Sequence, residues 1–280
     1  PGQETFDGMI QAGSGTGTYS AALPALGSHE KIYVRAYAYN RCSSCYGNST
    51  IAFGSSILYP EITATYGEPL VDVRDGKIYR TIQIGTQNWM ADNLAYMPDD
   101  NQFIRQINKK KFSFSGVYVY NYKGNSVEEA KATPEYQKYG CLYDRDYALT
   151  LCPDGWHLPS DEEWKIMEEY LGMDPLELNN YQLANRESGE VGTHLKTAST
   201  EDWFWDEISQ VLVGDNSSGF SAVASGRFTP STRPFMFFRW EGQDAIYWTS
   251  SLEGDQGILR DLKFPSPGIA RMTMDSNYGN

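Results

Sequence analysis

The chain has 280 residues, of which 40% are hydrophobic and 14% aromatic, with 20 Tyr and 7 Trp; that is material for a sizeable core and excludes a disordered chain. A formal charge of −13 and a pI of about 4.7 exclude nucleic acid and anionic membrane surfaces as partners, because a phosphate backbone repels such a surface. No run of 18 apolar residues offers a membrane span, and the opening "PGQETF", without Met, reads as a fragment or processed form.

Residues 1–58 have β character. "KIYVRAYAYN" alternates strictly, with Ile32, Val34, Ala36 and Ala38 on one face and Tyr33, Arg35, Tyr37 and Tyr39 on the other, which predicts a strand. "YSAALPAL", "IYVRAYAYN" and "YGN" together resemble the last strands of a fibronectin type III module. The segment departs from that family at Ile32, where a tyrosine is usual, and it lacks the first strands. The resemblance implies an incomplete module, either truncated or completed by a neighbouring subunit. Cys42 and Cys45 form a C-S-S-C between two of these strands. With no second pair nearby, the spacing predicts a small disulfide loop rather than a zinc site.

Residues 59–69 read as a linker, and 70–280 as a second unit. It opens on a hairpin, "VDVRDGKIYRTIQIG", turned at Asp75-Gly76, with Ile78, Ile82 and Ile84 expected on one face. "KFSFSGVYVYNYKG" would set Phe112, Phe114, Tyr118, Tyr120 and Tyr122 along one strand face. Cys141 and Cys152 flank a short predicted helix, "LYDRDYALTL". They either bridge each other or leave one for a cysteine elsewhere.

"CPDGWHLPSDEEW" follows. Pro153-Asp154-Gly155 is a turn. Ser160 and Glu163 make a capping box, Asp161 and Glu162 suit the positive end of a helix dipole, and Trp164, Met167 and Leu171 mark its buried face. Gly172 stops the helix. His157 reads as a buried, hydrogen-bonded residue, because no second ligand lies at metal spacing. Capping accounts for the three acids without general acid–base work.

These motifs, with "DGKIYRTIQIGTQNWMADNL", "YGCLYDRDYAL", "GTHLKT", "NSSGFSAVASG" and "YWTSS", resemble the Fibrobacter succinogenes major paralogous domain family over residues 70–280. The resemblance implies an α+β, C-type-lectin-like fold and an extracellular or surface-anchored bacterial protein, such as a lipoprotein. Members usually continue into a closing strand with a cysteine, which this chain lacks.

No G-x-S-x-G, H-E-x-x-H or P-loop is present, and the calcium motifs of animal lectins are absent. No cofactor is expected; Asp215-Asn216 is the one place where calcium is considered, and a turn is the simpler reading. Ligand binding is expected in "EDWFWDE" and "RPFMFFRWEGQDAIYWTSS", where Trp205, Trp240, Arg239, Asp244 and Tyr247 combine flat rings with hydroxyl-bonding groups. Trp248 reads as core. The expected function is non-catalytic recognition of a glycan or surface protein; the alternatives are a pilus or fibre component and a hydrolase.

Overall fold

The computed structural model describes residues 62, 64–98, 116–124, 126–181, 186–204, 214–229 and 238–275. The chain divides into two compact units, Pro1–Leu58 and Tyr59–Asn280, and every described residue lies in the second. The fibronectin-like strands, Cys42, Cys45, Trp205, Phe112 and Phe114 therefore fall outside the described residues.

The second unit is α+β. It begins with five short strands, β1 (Thr65–Tyr66), β2 (Leu70–Val71), β3 (Ile78–Tyr79), β4 (Thr81–Ile84) and β5 (Gln87–Met90). Next come β6 (Val117–Tyr118), α1 (Val127–Lys131), α2 (Pro134–Tyr139), β7 (Leu142–Tyr143), α3 (Arg145–Thr150), α4 (Asp161–Tyr170) and α5 (Val191–Leu195). The chain then builds β8 (Ser225–Phe228), β9 (Phe238–Glu241), β10 (Asp244–Glu253), β11 (Gln256–Lys263) and β12 (Ala270–Met274). These last strands form a sheet in the order β12-β11-β10-β8-β9, antiparallel except for β10 beside β8.

The expected hairpin forms between β2 and β3, with Gly76 at φ 74° in its turn. Ile78, however, does not share a face with Ile82 and Ile84. Ile78 is 64% exposed, whereas the other two are buried. The chain leaves one ladder at Tyr79 and enters another at Thr81, which breaks the period-two pattern that joined them.

Both faces of the central strands are covered. Ala245 and Leu262 belong to one core cluster with Ile82, Trp89, Trp164 and Phe220, while Ile246, Trp248 and Leu259 belong to a second with Tyr79, Val117 and Tyr143. That double burial explains the near-continuous apolar run of β10 and β11. Trp248 is core, as its position in "YWTSS" predicts, and its indole donates to the Tyr143 carbonyl at 3.2 Å. The rest of that motif is structural too. Arg145 donates to the carbonyls of Thr249 and Ser250, Ser250 N–H to Pro159 O (2.9 Å), and the Ser251 hydroxyl accepts the Asp161 amide (3.0 Å). The irregularity in β10 pairing between Trp248 and Leu252 thus seats the start of α4.

Helix α4 begins as its sequence dictates. The Ser160 hydroxyl accepts from Glu163 N, and the Glu163 carboxylate accepts from Ser160 N at 2.7 Å. Trp164, Met167 and Leu171 are buried, and Gly172 follows with φ 110°. Pro153–Trp156 is a turn, closed by Trp156 N–H to Pro153 O at 3.0 Å with Gly155 at φ 81°. His157 differs from expectation. Its side chain is exposed, and Nε2 lies 2.8 Å from Glu163, so it braces the capping box from outside. The turn before Pro159 carries it over the helix start rather than under it.

Candidate functional site

Two carboxylate clusters lie on opposite faces of β10 and β11, because successive residues of a strand point to opposite sides. On the face toward α4, Asp161 accepts from Arg260 Nη1 (2.8 Å) and from Arg271 Nε and Nη2 (both 2.9 Å), with Lys165 Nζ at 3.0 Å. Glu168 pairs with Arg260 Nε (2.5 Å) and Arg186 Nη2 (2.6 Å). Burial alone would push the Asp161 carboxyl up, but the bond from Arg271 and the charge and bond of Arg260 outweigh it and hold the group well below the usual carboxylate range. Each carboxylate of this network meets at least two cationic side chains, whereas Arg186 Nη2, ion-paired with Glu168, has no hydrogen bond of good geometry among the described residues.

The other face carries the predicted residues. Asp244 pairs in register with Lys263 and Ile246 with Asp261, so Asp244, Lys263 and Asp261 share one side at the start of the β10–β11 ladder. Asp261 is fully buried. Lys263 Nζ lies 3.1 Å from its Oδ2 as an ion pair, yet neither carboxylate oxygen accepts a hydrogen bond of good geometry among the described residues. Burial, then the neighbouring Asp244 charge, pushes the Asp261 carboxyl up to about 6, with Lys263 and Arg227 opposing. Asp244 is buried as well; burial raises its carboxyl against the pull of Lys263 and Arg227.

Trp240 and Arg239 sit on β9, the edge strand, and β9 leads into β10 through a tight turn closed by Gln243 N–H to Trp240 O at 2.9 Å. Trp240 is half-buried and has φ 59°, a left-handed backbone that a bulky residue rarely adopts. The Arg227 guanidinium lies 3.9 Å over its ring and that of Arg239 5.5 Å away. Arg227 and Arg239 pair directly across β8 and β9, an arrangement of like charges that costs energy by itself. Three of the predicted residues, Trp240, Arg239 and Asp244, are therefore gathered in one neighbourhood.

Tyr247 is not part of it. It lies on the α4 side, packed against Phe220 (5.6 Å) and Trp164 (5.7 Å), with its hydroxyl enclosed and without a hydrogen-bond partner among the described residues. One residue of strand period separates it from Asp244's face. Trp203 is core rather than ligand-facing, and its indole donates to Ala222 O at 3.1 Å. Tyr118 stacks on Phe228 at 4.1 Å, and Tyr120 packs against Phe238, so these rings fill the sheet margin rather than form a platform.

Sequence reasoning missed Arg227, Asp261 and Lys263. A signal was there: "GILRDLKF" sets alternating charges inside an otherwise apolar run, and a charge inside a strand covered on both faces must have a partner or a purpose.

Two other constellations carry no chemistry. Ser217 Oγ lies 2.8 Å from His194 Nδ1, and Asp215 Oδ2 lies 3.2 Å from the same nitrogen. A nucleophilic triad needs Ser and Asp on opposite ring nitrogens, so here they compete for one. Asp215–Gly219 is a turn, with Asp215 accepting from Ser217 N–H at 2.9 Å. Cys141 and Cys152 do not bridge each other in this structure. Cys141 is buried, its Sγ bonded to Ala95 O and its thiol pushed up to about 12 by burial. Cys152 lies beyond α3 and bonds back to Ala148 O. Among the described residues no group of three acids, histidines or cysteines is placed to hold a metal ion, and no helix is long and apolar enough to cross a membrane.

Neither a curated protein nor a solved structure matches the chain. The family model of the Fibrobacter succinogenes major domain matches residues 82–266, which include α4, β8 to β11 and the carboxylates of both clusters. The chain belongs to the Fibrobacter succinogenes major domain family.

Proposed function

We propose that this unit is a non-catalytic, C-type-lectin-like recognition domain of a bacterial surface protein, exported and anchored as a lipoprotein, and that it binds a glycan at the β9–β10 turn. The observation that carries the reading is Trp240. A bulky ring held in a left-handed backbone costs of order 1–3 kcal/mol, and such strain persists where a side chain must be aimed. The ring lies beside Arg227 and Arg239, and the Arg227 charge acts on Asp244, which together supply the flat face and hydroxyl partners that a sugar requires. Affinity at a single such site is expected to be micromolar to millimolar, because few atoms are buried. A glycan array probed with the whole chain, with and without calcium, tests it. Loss of binding in Trp240→Gly with an unchanged melting temperature supports the assignment, and retained binding sinks it.

One observation favours a second reading, glycoside hydrolysis. Asp261, with its raised carboxyl, stands beside a second carboxylate, Asp244, as a general acid stands beside its partner. Release of reducing ends from any glycan bound on the array separates the two.

A further inference from the structure

We propose that Asp261 and Asp244 form the floor of the Trp240 site and accept hydrogen bonds from the hydroxyls of an uncharged sugar, with Arg227 and Lys263 donating to its oxygens. The proposal rests on the recognition reading above and adds the deep acceptor, the ligand's charge class and a dependence on acidity.

Asp261 is the observation behind it. A fully buried carboxylate with one ion-pair partner, Lys263, and no hydrogen bond of good geometry among the described residues is costly, and a structural carboxylate in this same fold is treated otherwise: Asp161 is met by two arginines and a lysine. Arg227 repeats the pattern at the same place, with a buried Nε that has no partner among the described residues. Arg227 links the two sides: its guanidinium lies over the Trp240 ring, and its charge acts on both Asp261 and Asp244. Lys263 reaches Asp261 from the rim on a side chain 36% exposed, and its flexible stem can swing aside for an incoming hydroxyl.

The charges select the ligand. An acidic sugar would meet two buried carboxylates at the floor, and an amino sugar would meet Arg227, Arg239 and Lys263 around the ring. A neutral polyhydroxyl face satisfies both sets, since each hydroxyl donates to one group and accepts from another.

Acidity enters through the floor. The groups that face Asp261 are Asp244 from β10, Arg227 from β8, Lys263 from its own strand and, at longer range, Lys196 just after α5, whose Nζ donates to the carbonyls of Lys263 (2.8 Å) and Ser266. The facing residue of β12 is Ala270, which carries no charge. Protonation of Asp261 removes half its acceptor capacity, so sugar binding should weaken as pH falls through about 6.

The test uses the whole chain on an array of uncharged and acidic glycans, followed by calorimetry on the strongest ligand at several pH values. The expected result is a neutral glycan bound about tenfold more weakly at pH about 5 than at pH about 7.5, since about a tenth of a carboxyl with pKa 6 is ionised at the lower pH. Asp261→Asn should bind about tenfold more weakly at neutral pH and lose the pH dependence. Asp244→Asn supplies the same test should the first variant fail to fold, and Ser160→Ala controls for stability alone. A neutral glycan bound equally at both pH values, or equally by both Asn variants, overturns the inference and leaves the recognition reading standing. Selection of acidic glycans also overturns it. No bound glycan at any pH, or full binding by Trp240→Gly, defeats the recognition reading and the inference with it.

Discussion

The two faces of β10 and β11 bury carboxylates in opposite ways. Toward α4, Asp161 and Glu168 are enclosed by Arg186, Arg260, Arg271 and Lys165, and the Asp161 carboxyl is held low. On the other side, Asp261 is also buried but has Lys263 as its ion-pair partner and no hydrogen bond of good geometry among the described residues, and its carboxyl is raised to about 6. Burial pushes both carboxyls up; two arginines and a lysine outweigh it at Asp161, while Lys263 and Arg227 do not outweigh it at Asp261. One cluster is a latch that joins a helix to a sheet; the other is a set of polar groups still open to an outside partner.

Removing the latch should have the largest effect. Arg260→Met leaves Glu168 with Arg186 alone, takes one donor from Asp161, and should cost about 3–5 kcal/mol in urea denaturation. A loss under about 1 kcal/mol would show that the two clusters do not differ energetically.

Asp261→Asn should act in the opposite direction, stabilising the fold by about 1–3 kcal/mol at neutral pH. The sign follows from the raised carboxyl. Between the ordinary 3.8 and about 6, the folded state binds more protons than the unfolded one, so wild-type stability falls as pH rises through that window. Asp161 behaves inversely: its contribution is complete above 3.8 and is lost only in stronger acid. Melts of wild type and Asp261→Asn from about pH 4 to 7 should converge at the acid end. Curves that stay parallel would show that Asp261 does not titrate in that range.

Smaller effects refine the contrast. Ser160→Ala leaves the Glu163 amide without its cap and should cost about 1 kcal/mol without altering ligand binding, because the cap belongs to the latch side. Trp240→Gly should change stability by less than about 1 kcal/mol, since the lost stacking of Arg227 is offset by relief of the left-handed backbone. A loss of roughly 3 kcal/mol or more, the cost of emptying an aromatic core site, would make Trp240 a core plug and leave the second face without a ligand ring.

What could be read from the sequence by itself was local. The capping box at Ser160, the helix face of Trp164, Met167 and Leu171, the glycine stops at Gly76 and Gly172 and the core role of Trp248 each depend on residues within a few positions of one another. Composition also located the aromatic and polar stretch that holds Trp240, Arg239 and Asp244. Tertiary structure decided the rest. His157 turned outward and Ile78 left its neighbours' face because chain direction changes at single residues. Tyr247 fell to the core while Asp244 did not, since sidedness depends on which ladder fixes the register. Asp161 looks like an ordinary helix-start acid until Arg260 and Arg271 arrive from about a hundred residues away, and nothing near Asp261 in the chain announces that its donors will be too few. Charge states in a buried site are set by distance through space, which sequence separation does not encode.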